Sequence, residues 1–322
     1  MERLFDMLSL DIEQARSVIS STPDAFGLTD LRPFVERPLL KLGSTSFACP
    51  YQGFLRNQLG LGLFYVIFDK YRTRGDDSNL RLSQFFGRFL ETYLFGVVSD
   101  ATRRRKDAHV FPEKKYLVKG GESKSSDVIL VAGSNAVFIE ITRSRLRLDE
   151  TICRRDRKSL DEDIERIFVR KARELDRSIK DFKSGAFQLN GVNPATIKNF
   201  FPVITTEQDF PQLIALPQLI RSAIAGAGYL GQWKDVQVFA AEDIEALYVS
   251  SDGNLELERM LDKKITDPKY RYRDLPTYLY DLEPDKLAPR GDKSLPGYRE
   301  LFDNIVIPTL RRWGLPTTEV GR

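Results

Sequence analysis

The sequence holds a single histidine, His109, and only two cysteines, Cys49 and Cys153. One histidine excludes a metal centre built on several imidazoles and leaves no support for a Ser-His-Asp relay. Two cysteines this far apart suggest neither a disulfide framework nor a thiolate zinc site. Long apolar runs are missing as well. The longest, residues 59–68 (LGLGLFYVIF), is well short of the 18 or so residues that a bilayer-spanning helix needs. The first residues, MERLFDMLSLDIEQAR, are acidic and amphipathic and lack the apolar core of a signal peptide. A reducing, cytoplasmic setting without membrane association is therefore expected. Net charge is only +3, so no global field demands a nucleic-acid partner. Neither an internal repeat nor a low-complexity tract is present.

What is there is ordinary in bulk and uneven in detail. The 322 residues, 42% hydrophobic and 30% charged, suit one large folded domain with additions, or two domains. Basic residues cluster at Arg103, Arg104, Arg105 and Lys106, and again at Arg143, Arg145, Arg147, Arg154, Arg155, Arg157 and Lys158. Such runs serve either as solvated faces or as phosphate grips. These two flank residues 125–143, SSDVILVAGSNAVFIEITR, around which the chain is organised.

Two apolar runs in that stretch enclose a Gly-Ser-Asn cluster, the pattern of a β-hairpin. A turn between Gly133 and Ser134 makes paired numbers sum to 267. Val131 then faces Ala136, Ile129 faces Phe138, and Asp127 faces Glu140. Opposed like charges destabilise a strand pair unless something neutralises them. A hard divalent cation held by oxygen ligands is one remedy. The plain alternative is that both carboxylates are solvated strand ends, since a one-residue slip would separate them.

Along the rest of the chain, a helix or two is expected in 1–30, a small hairpin in 37–50, and an apolar helix over 51–71. Residues 72–79 (RTRGDDSN) are the best boundary. Residues 82–98 read as a helix apolar nearly all round. Glu91 interrupts it, and either pairs with Arg88 three residues back or adds a third carboxylate to the hairpin's cation. A strand is expected around 114–118 and a basic connector over 143–158. In a long helix over 159–183, Ile164, Phe168, Ala172, Leu175, Ile179 and Phe182 form a buried stripe. Lys171 falls within that stripe, where it either snorkels to the edge or stays inside with an anionic partner. Strands over 200–206 and 236–240 and helices over 212–225, 242–248 and 255–265 follow. A loop-rich segment over 268–296 and a closing helix over 298–313 complete the reading.

The order helix, strand, hairpin, helix, strand across 82–206 resembles the PD-(D/E)XK, restriction-endonuclease-like nuclease superfamily. The residues carrying the likeness are Glu91 in FGRFLETYL, Asp127 in SSDVILV and Glu140 in VFIEIT, the last two 13 positions apart (140 − 127). FVRKARELDRSIKDF followed by FFPVITT also looks like bacterial members, several of which serve phage defence or mobile elements. The resemblance implies an α/β (α+β) fold, a mixed sheet flanked by helices, over 80–250. Residues 1–79 would form a mostly helical N-terminal region with a small hairpin, and 251–322 a helical, loop-rich extension; either could take a protein partner, and the chain could form a homo-oligomer. It also implies Mg²⁺ or Mn²⁺ held by Asp127, Glu140 and Glu91, with catalysis by these three and a lysine, and DNA gripped by Arg103, Arg104, Arg105, Arg143 and Arg145. The family pattern asks for Glu-x-Lys, whereas here Glu140-Ile141-Thr142 puts a threonine where the lysine belongs. Some members supply the lysine from the next helix, and Lys171 is the candidate. Without it, the resemblance implies a degenerate module that binds nucleic acid or a partner protein.

Overall fold

A computed structural model describes residues 5–6, 8–21, 32–50, 55, 78–118, 120–144, 146–147, 156–207 and 215–282. The chain divides into two compact units, Met1–Phe86 and Gly87–Arg322. In the first, β1 (Ser9–Asp11) runs parallel to β2 (Leu39–Lys41), which pairs antiparallel with β3 (Phe47–Ala48). The β2–β3 pair is the hairpin expected within 37–50. Helix α1 (Ile12–Ser21) starts where β1 ends. Its entry is a reciprocal cap: Gln14 N–H donates to Asp11 Oδ1 at 2.7 Å, and Asp11 N–H donates to Gln14 Oε1 at 3.2 Å. A short helix, α2 (Arg32–Glu36), precedes β2. The expected helices over 51–71 and 298–313 lie outside the described residues, apart from Leu55.

Helix α3 (Ser78–Thr102) contains the division between the units. Leu94, Val97, Val98 and Ala101, at helical spacing, are buried along one face. Phe89 is 58% exposed, so the helix is not enclosed on several sides as its composition suggested.

The second unit is built on a mixed five-stranded sheet ordered β10-β9-β8-β7-β4. Here β4 is Ala108–Pro112, β7 Val128–Ala132, β8 Asn135–Thr142, β9 Asn199–Thr206 and β10 Gln237–Ala240. A separate hairpin, β5 (Lys115–Val118) and β6 (Gly121–Lys124), lies between β4 and β7 in sequence. β8, β9 and β10 are parallel neighbours, while β4 and β7 are antiparallel additions. Parallel strands need helical crossovers. The first is α4 (Arg157–Ile164), a π-helical turn (Glu165–Val169) and α5 (Arg170–Lys183) in unbroken succession, where one α-helix was expected. The second is α6 (Ala215–Gly226).

Helices therefore cover both faces, which is why β7, β8 and β9 are almost wholly buried. On one face, Val128, Leu130, Val137, Ile139, Phe201 and Val203 meet α3 and the C-terminal helices. On the other, Ile129, Phe138, Phe200 and Ile204 meet Phe168, Ala172, Leu175, Ile179 and Phe182 of the first crossover.

The C-terminal helices are α7 (Ala241–Ser251), α8 (Leu257–Thr266) and α9 (Leu275–Leu282). Leu257, Leu261, Ile265, Leu275 and Leu279 join the same core as the sheet, so the fold continues past residue 250 at least to α9. α9 also falls where a loop-rich segment was expected. The structure is thus mixed α/β with helices and mixed sheets. Among the described residues no helix is long and apolar enough to cross a membrane.

Candidate functional site

The β7–β8 hairpin has the register that the turn chemistry predicts. Val131 pairs with Ala136 and Ile129 with Phe138, around Gly133, whose φ of 56° suits the first central position of a type II′ turn. The ladder ends at Val128 and Ile139. One residue further out, Asp127 turns its carboxylate on to the opposing strand, where Ile141 N–H donates to Oδ2 at 2.7 Å. Glu140 stands beside it on β8, on the face covered by α5. Both are nearly shut off from solvent, at 8% and 4% exposure. They are not solvated strand ends.

Lys171 stays inside and supplies the charge that Thr142 does not. Leaving the first turn of α5, its Nζ lies 2.8 Å from Glu140 Oε2 and 2.8 Å from Glu174 Oε2. Thr142 is buried and neutral, its Oγ1 accepting from Ser144 N–H at 3.1 Å. The cation beside Glu140 comes from a position 31 residues on (171 − 140), delivered by packing α5 against β8.

The electrostatics follow from two acids and one cation sharing a dry site. Burial pushes the Asp127 carboxyl up to about 6, against the pull of Lys171 and the Ile141 N–H. Burial and the neighbouring Asp127 charge raise Glu140 well above the usual carboxylate range, with Lys171 opposing. Burial disfavours charge on Lys171 too, but Glu140, Asp127 and Glu174 outweigh it and hold the ammonium charged. Burial also pushes Glu174 up, yet Lys171 and Arg170 keep it below its ordinary value.

Glu91, half-buried on α3, makes no ion pair with Arg88. Its own carboxyl is raised by burial and by Glu113, and its charge is felt at Asp127. Among the described residues no three His, Cys, Asp or Glu side chains are grouped closely enough to hold a metal ion. The donor set is therefore the Asp127–Glu140 pair, with Glu91 further out. Oxygen donors of this kind fit a hard divalent cation.

Sequence reasoning missed three charged neighbours. Glu174 clamps Lys171 from three residues along the same helix, a spacing visible in the sequence. Glu113 and Lys124 pair at 3.0 Å, one just beyond β4 and the other at the end of β6. Lys124 is raised chiefly by Glu113, with Glu91 and Asp127 adding to it. Only tertiary structure brings that pair to the site.

The basic clusters named from sequence are mostly spoken for. Arg105 is a correction: its side chain is 7% exposed and grips Glu258 through two N–H groups, at 2.8 and 2.9 Å, and Asp107 at 2.8 Å. It joins α8 to the core and is not free to take a phosphate. Arg104 pairs with Asp252 at 2.9 Å, and Arg143, 14% exposed, pairs with Glu207 at 3.2 Å. Arg103 is exposed, and Arg145 lies outside the described residues.

No family model matches the chain. Neither the curated proteins nor the solved structures compared with it give a match. The reading of the site rests on its own geometry.

Proposed function

We propose that this chain is a metal-dependent nuclease that hydrolyses DNA phosphodiester bonds on a restriction-endonuclease-like core. The observation that carries the reading is the buried Asp127–Glu140 pair with the Lys171 ammonium 2.8 Å from Glu140. Two acids and a lysine that stays charged are the groups that this chemistry requires. Asp127 and Glu140, with Glu91 through water, would hold Mg²⁺ or Mn²⁺. The bound ion would lower the pKa of a coordinated water and neutralise charge on the phosphate.

The side chains divide the remaining work. Because its neighbours keep Lys171 protonated, it serves as an N–H donor to an anionic oxygen and not as a general base. Glu174, three residues along the same helix, holds that ammonium in place. The Ile141 N–H fixes one Asp127 oxygen and so leaves Oδ1 for a ligand.

Plasmid cutting in Mg²⁺ or Mn²⁺ tests this. Asp127→Ala, Glu140→Ala and Lys171→Ala should each lower the rate by about a hundredfold or more, the scale of losing one transition-state contact. Cutting unchanged by the two carboxylate substitutions removes the assignment. A second reading, a degenerate module that binds nucleic acid or a partner without cutting, is favoured by Thr142 and by the fact that, among the described residues, no three acidic side chains are grouped closely enough to hold a metal ion. Calorimetry separates the two, because only the nuclease keeps a tight Mn²⁺ site that Asp127→Asn abolishes.

A further inference from the structure

Helix α5 sorts its charges by face. Arg170, Arg173, Arg177, Lys180 and Lys183 are its exposed charged residues, and all are basic. Its three acids turn inward and are occupied. Glu174 holds Lys171 and Arg170, Asp176 accepts from Leu230 N–H, Trp233 Nε1–H and the Lys180 ammonium, and Asp181 accepts from the Tyr116 hydroxyl at 2.6 Å. Two of the basic residues, Arg170 and Lys180, are held in i, i+4 pairs with Glu174 and Asp176, which leaves Arg173 and Arg177 as the cations without an acidic partner on the helix. Here Arg173 makes no ion pair or hydrogen bond among the described residues, and Arg177 makes only a long contact, 3.5 Å, to the Lys124 carbonyl.

At 100° per residue, Arg170, Arg173, Arg177 and Lys180 lie within about 80° of arc and span about 15 Å of axis. Lys171 leaves the same helix one residue after Arg170, so this ridge runs alongside the carboxylate site. We propose that the exposed face of α5 is the surface on which duplex DNA docks, its cations following one phosphate row past Lys171. The proposal rests on the nuclease reading and supplies its substrate-binding surface, for which the clusters at 103–106 and 143–147 were first considered.

Charge density and side-chain type select the occupant. One DNA strand presents a phosphate about every 3.4 Å of axis, a dense row of one charge that a ridge of basic residues about 15 Å long complements. Single strands are held by aromatic stacking platforms, and the exposed α5 positions carry no aromatic residue. RNA duplexes are read through 2′-hydroxyls by polar side chains, and Ser178, the one hydroxyl within α5, is buried beneath the ridge, its Oγ accepting from Ser126 N–H at 2.9 Å.

The test is fluorescence anisotropy of a short dye-labelled DNA duplex with the full chain, in EDTA so that nothing is cut, across a salt series. The triple variant Arg173→Ala/Arg177→Ala/Lys180→Ala should bind about tenfold or more weakly, and its log-affinity against log-salt slope should fall by about 2 to 3. The charge-matched control Lys106→Ala/Lys198→Ala/Lys263→Ala should stay within about twofold of wild type. Arg173→Lys should retain most of the affinity that Arg173→Glu loses, which guards against a folding artefact in the triple variant. Equal losses in ridge and control variants overturn the proposal, as does tighter capture of an RNA duplex or of the single strand. Wild-type binding by the ridge triple sinks the ridge even if plasmid cutting persists. Ridge-dependent binding with no cutting upholds the ridge and sinks the nuclease reading alone.

Discussion

Lys171 and Lys264 leave helices on opposite faces of the five-stranded sheet and meet opposite surroundings. Lys171 enters between Glu140 and Glu174, with Asp127 behind them, and these acids keep its ammonium charged despite burial. Lys264, 1% exposed on α8, donates at 2.7 Å to the neutral Gln237 Oε1. Burial lowers its pKa to about 7, the Arg221 charge deepens the drop, and Asp274 and Asp243 only partly oppose it. Hiding a lysine therefore does not settle its charge; the sign of what it is hidden among does. One face carries a built ionic site, and the other carries an amine that the fold prefers neutral.

The sharpest way to break this comparison is to remove each amine. Lys171→Met strands Glu140 in a dry site and should cost about 3 kcal/mol of stability near neutral pH. Adding Glu140→Gln should recover most of that loss in urea unfolding. A negligible cost for the single variant would mean that the Lys171–Glu140 contact does not hold the site together.

Lys264→Met should act through pH. Because the folded state prefers the neutral amine, this contribution is fully present above the ordinary value of 10.5 and is lost as pH falls to about 7. Wild type should thus gain about 3 kcal/mol between about pH 7 and 9.5 from this group, and the variant should lose that slope. A variant as pH-dependent as wild type would refute the assignment.

Asp127 gives the smallest effect. Its raised pKa favours the protonated form, so the contribution is full below about 3.8 and disappears as pH rises through about 6. Asp127→Asn should remove a decline of about 1 kcal/mol between about pH 5 and 7.5. Mn²⁺ should offset that decline in wild type, since metals take deprotonated carboxylates, and leave the Asn variant unmoved. Melting curves with and without Mn²⁺ would show both.

Local chemistry made the hairpin legible: Gly133-Ser134 fixes the turn, and the turn fixes every rung down to Val128 and Ile139. Helical spacing likewise placed Lys171 on the inward side of its helix. What escaped was whatever depends on contacts between distant segments. Arg105 reads as a surface cation because its partner Glu258 is 153 residues away. The basic ridge on α5 was overlooked for a different reason: the stripe on its opposite side explained the periodicity, and the exposed remainder looked like ordinary solvation. The Glu91 charge is felt at Asp127, yet Glu91, Asp127 and Glu140 do not form a group close enough to hold a metal ion among the described residues.

Lys171 and the ridge belong to one 14-residue rod, α5, with the wide π turn on its N-terminal side. Arg173 and Arg177 stand two and six positions past Lys171, about 3 and 9 Å along the axis. Any backbone seated on those arginines is therefore indexed to the ammonium by a fixed offset, as on a ruler. Where such an enzyme cuts, relative to where it holds, would be set by the pitch of a single helix.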